Sequence, residues 1–160
     1  RDSIKPGIGA VNWVSRSNYP VLNLVPTGPH EMSLYVNQNY GQPSAHLRRY
    51  AFRLDGLSCL KAPYKGGEWI SKPLTFEGQR LTLNFATSAA GSIRVELQDP
   101  QNRALPGFRL EDSTEIIGNE TERTVTWKSG RKLEEVPQPI RIRMKMQDAE
   151  LFSIQFQTVE

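Results

Sequence analysis

Carboxylates are the most concentrated chemically useful side chains in one stretch of this sequence. Glu111, Asp112, Glu115, Glu120 and Glu122 follow one another in a loop-rich segment. Glycosidases use two carboxylates roughly 5–10 Å apart, and calcium takes several oxygen ligands from acidic loops. The spacing does not match an EF-hand loop, and the sequence alone cannot place any two of these carboxylates as a pair. We interpret the cluster as a solvated acidic loop, with a calcium site or a catalytic pair as the alternatives.

The other reactive residue types lack the neighbours that catalysis requires. His30 and His46 have no suitable cysteine near them for a zinc site. Cys59 has no local base, so we expect it to be a small buried residue. There is no G-x-S-x-G elbow and no phosphate-binding G-x-x-x-x-G-K loop. We therefore predict no catalytic residue, no metal ligand and no cofactor in this chain.

Aromatic rings interleaved with amides point to a different chemistry, the binding of sugars. The apolar face of a sugar ring stacks on a flat aromatic ring, while amides and guanidinium groups bind the hydroxyls. Tyr35 and Tyr40 lie among Asn12, Asn18, Asn37, Gln38 and Asn39 in the first part of the chain. The carbohydrate-binding residues predicted here are Trp13, Arg16, Tyr19, Glu31, His46 and Arg48. Packing of these rings in a core is the alternative, and we assign Trp69 and Trp127 to the core.

Charge and hydropathy exclude two other partner classes. The net charge of +3 is too small to indicate nucleic-acid binding. Arg141, Arg143 and Lys145 alternate with apolar residues, which indicates the solvated face of one strand, with a polyanion site as the alternative. No segment approaches the roughly 18 consecutive apolar residues of a membrane helix, so we predict no membrane partner.

The elements that position these residues are predicted to be strands. Gly and Pro divide the chain into short runs that alternate apolar and polar residues, as half-buried antiparallel strands do. We expect a turn at 87–91, between the runs 81–85 and 93–97, and another connection at 147–149. One core is predicted to contain Leu83, Phe85, Val95, Trp127, Ile142, Ile154 and Phe156. The fold class is therefore all-β, a two-sheet antiparallel β-sandwich of the jelly-roll kind.

The first part of the chain has too few apolar residues to make a core of its own. Residues 21–25, 31–36 and 47–54 could be strands, and Asp55-Gly56 marks a boundary. We divide the chain into a strand-rich arm over 1–55 and a sandwich domain over 56–160. The arm is expected to pack on the sandwich or on an upstream domain.

Several segments of the sequence resemble a known group of proteins. The segments TGPHEMSLYV (27–36), YGQP (40–43) and HLRRY (46–50) resemble the final propeller portion of secreted bacterial proteins similar to glycoside hydrolase family 32. The segments KPLTFEG (72–78), LNFATSAAG (83–91), PGF (106–108) and VTW (125–127) look like the C-terminal sandwich of the same proteins.

The resemblance implies a five-bladed β-propeller followed by a β-sandwich, with this chain holding a partial blade and the sandwich. Catalytic carboxylates of the family lie on early blades, so none is carried over to this chain. We expect an accessory part that braces the catalytic propeller and contacts carbohydrate, from a secreted or periplasmic protein. A start at Arg1 rather than Met is what a processed piece would show. A stand-alone carbohydrate-binding module and a structural or adhesive sandwich are the alternatives.

Overall fold

The computed structural model describes residue 4 and residues 18–158, and every structural statement concerns these residues. The chain forms two compact units, Arg1–Leu57 and Ser58–Glu160, called here the N-terminal and C-terminal units. Both consist of antiparallel strands, which confirms the all-β prediction. The described residues contain no α-helix, and the one 3-10 turn that interrupts the strands is Leu133–Glu135. No helix capable of crossing a bilayer occurs in residues 18–158.

The N-terminal unit is one four-stranded sheet built around its third strand. The strands are β1 (Tyr19–Pro20), β2 (Val25–Gly28), β3 (Glu31–Gln38) and β4 (His46–Arg53). Both β1 and β2 pair with one edge of β3, and β4 pairs with the other edge. The strands predicted over 31–36 and 47–54 are therefore confirmed as β3 and β4, to within a few residues at their ends.

The strand predicted over 21–25 is wrong. Only Val25 belongs to a strand, and the preceding residues connect β1 to β2. Asn23 has a φ of 70°, in the left-handed region that asparagine tolerates better than most residues. This backbone conformation breaks what would otherwise be one strand along the edge of β3.

The C-terminal unit contains one five-stranded sheet with two very long strands. Its strands are β5 (Leu60–Ala62), β6 (Gly67–Ile70), β7 (Arg80–Gln98), β8 (Asn119–Thr124) and β9 (Arg141–Gln157). The sheet has the order β5-β9-β7-β8, with β6 also paired to β9. It curls into a half-barrel, an arrangement consistent with a β-sandwich. The partial propeller blade and the docking of the arm on the sandwich stay predictions.

The core of the C-terminal unit lies inside this curl. Leu83, Phe85, Val95, Trp127 and Ile142 are buried in one hydrophobic cluster, as predicted. The remaining two predicted members, Ile154 and Phe156, and also Trp69, are partly buried and pack against that cluster. Alternation therefore identified the inward face of β7 and β9 correctly, because each strand turns every second side chain toward the core.

The turns predicted at 87–91 and 147–149 are wrong. Both segments lie inside continuous strands, and the β7–β9 register shifts between Thr87 and Ser92. Thr87 pairs with Ala149 and Ser92 pairs with Gln147, so residues 88–91 bulge opposite the single residue Asp148. Small residues that are typical of a turn are equally suited to such a bulge, which bends a strand without ending it.

Cys59 is exposed, which contradicts the prediction of a buried residue. It precedes β5 at the edge of the sheet, outside the hydrophobic cluster. Ser58, Cys59 and Leu60 line an apolar groove of about 360 Å³ together with residues 151–154 of β9. Nothing in the local sequence Ser58-Cys59-Leu60 indicates that this segment lies at the edge of a sheet.

Candidate functional site

The strand register of the N-terminal unit places its side chains on two faces. Residues directly opposite each other in an antiparallel pair share a face. Tyr19 lies opposite Asn37, which lies opposite Leu47, and Tyr35 lies opposite Arg49. One face therefore carries a set that we call the tyrosine face, consisting of Tyr19, Glu31, Tyr35, Asn37, Leu47 and Arg49.

The predicted carbohydrate-binding residues do not all come together. Tyr19 and Glu31 lie on the tyrosine face. His46 and Arg48 belong to the opposite face, where Arg48 lies across from Val36 and His46 across from Gln38. The ring Nδ1 of His46 lies 2.8 Å from the carbonyl oxygen of Ser44. Trp13 and Arg16 lie outside the described residues.

Two tyrosine rings form an exposed aromatic pair at one end of this face. The ring centroids of Tyr19 and Tyr40 lie 5.2 Å apart, with the planes at 61°. The side chains are 48% and 57% exposed, far more than core rings would be. Tyr40 reaches this position because Asn39, with a φ of 56°, turns the chain sharply after β3. The pair offers an apolar surface that water covers in the free protein.

Three amide groups of the N-terminal unit have a buried atom without a hydrogen-bond partner, and two of them are near this pair. They are Asn18 Nδ2, Asn37 Oδ1 and Gln42 Nε2. Asn37 lies across from Tyr19, and Gln42 follows Tyr40 after Gly41, whereas the Asn18 amide binds Gln38 on the opposite face. A buried polar atom left unpaired costs about 1–3 kcal/mol, so such atoms call for water or a ligand. Asn37 and Gln42 therefore supply hydrogen-bonding capacity beside the rings.

Glu31 is held in place by neighbours rather than being free to act as an acid. Its carboxylate forms an ion pair with Arg49 and accepts a hydrogen bond from Thr27 Oγ1 at 2.8 Å. Thr27 Oγ1 also lies 2.7 Å from Ser33 Oγ, whose residue is fully buried. These contacts hold the polar side chains at one end of the tyrosine face, and the aromatic pair lies at the other end.

The acidic cluster of the C-terminal unit is largely neutralised by neighbouring cations. Arg109 pairs with Glu111 at 3.3 Å, Arg94 with Glu115 at 3.5 Å, and Arg123 with Glu120 at 3.2 Å. Asp112 accepts a hydrogen bond from the Arg109 backbone, and Glu122 accepts one from Gln157. No group of three or more His, Cys, Asp and Glu side chains that could hold a metal occurs in the described part of the chain. The geometry thus favours a solvated acidic surface, although Glu120 and Glu122 lie on β8 and only the first three carboxylates lie in a loop.

The basic row on β9 is also partly committed to internal contacts. Arg143 binds Glu68 at 2.8 Å and the nearly buried Glu96 at 3.1 Å, and Arg141 donates to the carbonyls of Ser71 and Pro100. The hydrogen bond to Glu68 is the main cause that raises the pKa of Arg143. The same bond lowers the pKa of Glu68. Two of the three cations therefore hold strands and loops together.

Comparison with known proteins gave no assignment for either unit. No protein-family model matches the chain, and neither the curated proteins nor the solved structures contain a significant match. Interpretation of the site consequently depends on its own geometry. Tyr40 and Gln42 were not among the predicted binding residues. Both belong to the amide-rich segment 37–42, which brings them to the end of the face that carries Tyr19.

Proposed function

We propose that the chain is the C-terminal accessory part of a glycoside hydrolase-like protein, and that it contacts carbohydrate through the tyrosine face. One observation carries this proposal: the exposed Tyr19–Tyr40 pair lies beside amides whose buried atoms have no partner. Catalysis is assigned to other parts of such a protein, not to residues of this chain.

The chemistry of the face fits a neutral sugar. A sugar ring has C–H groups on one side, which favour an aromatic surface, and hydroxyls at its rim that both donate and accept hydrogen bonds. Tyr19 and Tyr40 offer the aromatic surface. Gln42 offers a donor and Asn37 an acceptor, so the amides match the dual character of hydroxyl groups. Few polar groups placed beside an apolar surface are typical of small-molecule sites.

The bracing role is supported by apolar residues of the N-terminal unit that lie outside the amide region. Leu22 is 84% exposed and Leu57 is 63% exposed. Fully buried residues are few here, with Ser33, Val36 and Gln38 below a tenth exposed among the described residues. Val21 and Val25, the close neighbours of Leu22 in the chain, are also exposed, and an exposed, mostly apolar segment marks a contact surface for another domain. An upstream propeller in the same protein is the partner that this proposal assigns to these side chains.

A stand-alone carbohydrate-binding module is the second candidate, since the tyrosine face needs no other domain to bind a sugar. The test of sugar contact is a glycan array probed with the 160-residue chain. The proposal expects selective binding that is lost in a Tyr19→Ala/Tyr40→Ala double variant. Tyr64→Ala is the matched control, because Tyr64 is also an exposed tyrosine, at 68%, but belongs to the C-terminal unit. An array without any bound glycan would leave the structural or adhesive sandwich as the better account.

A further inference from the structure

The C-terminal unit contains a polar pocket at the point where its two longest strands lose register. The pocket has a volume of about 240 Å³. We call it the bulge pocket, and its lining consists of Lys61, Ala86, Thr87, Ser88, Asp148, Ala149 and Glu150. Three elements supply it: β5, the bulge of β7, and the residues of β9 opposite that bulge. None of these residues belongs to the tyrosine face.

The backbone around this pocket is specified closely by the sequence. Asp148 has a φ of 40°, which is uncommon for a residue with a side chain. Gly91 approaches β9 so closely that a Cβ atom would lie 2.4 Å from the carbonyl oxygen of Asp148. Bulges of this kind often re-aim side chains at functional sites. Here the bulge opens the space between the Thr87-Ser88 and Asp148-Ala149-Glu150 segments.

Several polar groups of the pocket retain unused hydrogen-bonding capacity. The carboxylate of Asp148 makes no direct hydrogen bond or ion pair with the residues that the structure describes. The hydrogen bond to Glu150 is the main cause that raises the pKa of Lys61, and the charge of Asp148 acts on that ammonium group only from a distance, as one of the smaller causes. Lys61 binds Glu150 at 2.7 Å and has three N–H donors, so donors remain available. Ser88 Oγ accepts a hydrogen bond from the Ala90 backbone, which leaves its own proton free to donate. The pocket thus presents free acceptors and free donors together.

We propose that the bulge pocket binds a neutral polyhydroxylated ligand through two adjacent hydroxyl groups. Each hydroxyl can donate a hydrogen bond to a carboxylate and accept one from an ammonium or hydroxyl group. A pair of hydroxyls therefore uses both the free acceptors and the free donors of the pocket. An anion would be repelled by Asp148 and Glu150. A small cation would be attracted to these carboxylates but has no acceptor for the free donors of Lys61 and Ser88, which a hydroxyl group can use. This inference does not depend on the tyrosine face or on the proposed function.

The experiment is an NMR titration of the ¹⁵N-labelled chain with unlabelled probes. The probes are glucose, galactose, mannose, fructose and xylose, tested one at a time, with sodium sulfate and methylamine hydrochloride as the anionic and cationic classes. Saturable shifts at the amides of Lys61, Ser88, Asp148 and Glu150 with at least one sugar are expected. Sulfate or methylamine binding there in place of every sugar would overturn the inference.

Variants separate direct binding from structural effects. Asp148→Asn keeps a residue that tolerates the left-handed backbone but removes the charge, and it should weaken sugar binding about tenfold. Lys61→Met changes an exposed side chain and should also weaken sugar binding. It replaces Asp148→Asn in the test if that variant is unstable. Glu77→Gln makes the same kind of change at an exposed carboxylate outside the pocket and should have no effect. Unchanged affinity in both pocket variants would overturn the proposal. Shifts confined to Tyr19, Asn37 and Tyr40 would do so too, while supporting the proposed function.

Discussion

The indole Nε1 of Trp127 donates a hydrogen bond of 2.8 Å to the backbone carbonyl of Val95 inside the C-terminal unit. The ring also contacts Phe108 edge-on, with centroids 5.0 Å apart. Trp127 follows β8, and Val95 lies on β7, so the bond joins two elements far apart in sequence. A buried indole whose N–H is satisfied adds both apolar area and specificity to a core.

Truncation of this core should be costly. Trp127→Ala and Phe85→Ala each remove a buried ring, and each should lower the free energy of unfolding by about 3–5 kcal/mol. Chemical denaturation followed by far-UV circular dichroism measures the change. Tyr64→Ala is the control, since an exposed ring should contribute less than about 0.5 kcal/mol. Losses below about 1 kcal/mol in both core variants would show that these rings do not share one core.

The bulge should tolerate no side chain at Gly91. Gly91→Ala places a Cβ against the backbone carbonyls of Asp148 and Gln147, at 2.4 and 2.7 Å, and backbone cannot move aside cheaply. We expect a loss of about 1–3 kcal/mol in the free energy of unfolding. Gly67→Ala is the matched control within the same sheet, because its Cβ would meet Ala62 at an ordinary 3.6 Å. Equal stability of the two variants would mean that the bulge is loosely packed.

The Glu68–Arg143 pair should make stability depend on pH at the acid end. The hydrogen bond from Arg143 lowers the pKa of Glu68 below its ordinary 4.5. A carboxyl with a lowered folded-state pKa stabilises the fold above its unfolded pKa, and this contribution disappears as pH falls through the lowered value. Glu68→Gln should therefore have a lower Tm than the parent at pH 7, and this difference should shrink below about pH 4.

Thermal unfolding of both proteins across this pH range tests the prediction. Glu77→Gln removes an exposed carboxylate and should match the parent at every pH. A Tm difference between Glu68→Gln and the parent that stays constant from pH 7 to the acid limit would contradict the role assigned to the pair.

Asn37 and Gln38 should respond oppositely to truncation, although they are neighbours on β3. Gln38 Nε2 donates to Asn18 Oδ1 and to the Tyr50 hydroxyl. Gln38→Ala should therefore lower the free energy of unfolding by about 1–3 kcal/mol. Asn37 Oδ1 is buried without a partner, so Asn37→Ala should cost little or even stabilise the N-terminal unit. Hydrogen exchange of the β3 amides measures local stability. A comparable loss in both variants would show that Asn37 already has a partner.

The fold was predictable where local alternation determines it. Leu83, Phe85 and Ile142 alternate with polar residues, and the inward face of a strand follows directly from that pattern. The bulge opposite Asp148 was not predictable, because its small residues are equally common in turns. Cys59 was misplaced because position at a sheet edge depends on pairing between β5 and β9, which are distant in sequence.

The candidate site was predictable in composition but not in arrangement. Aromatic and amide residues marked the right segment, since Tyr19 and Asn37 both stand on the tyrosine face. His46 and Arg48 belong to the opposite face, and only the register of β3 with β4 decides this, because a shift by one residue exchanges the faces of a strand. The bulge pocket could not be located from the sequence, because its lining comes from three segments that are far apart in the chain.

Calorimetric titration with the strongest ligand from the glycan array tests the central claim most directly. Each tyrosine ring should contribute about 1 kcal/mol, so Tyr19→Ala/Tyr40→Ala should raise the Kd about thirtyfold relative to the parent. Tyr64→Ala should leave it unchanged. A double variant that binds with the parent Kd, while its circular dichroism shows an intact fold, would contradict carbohydrate contact at the tyrosine face.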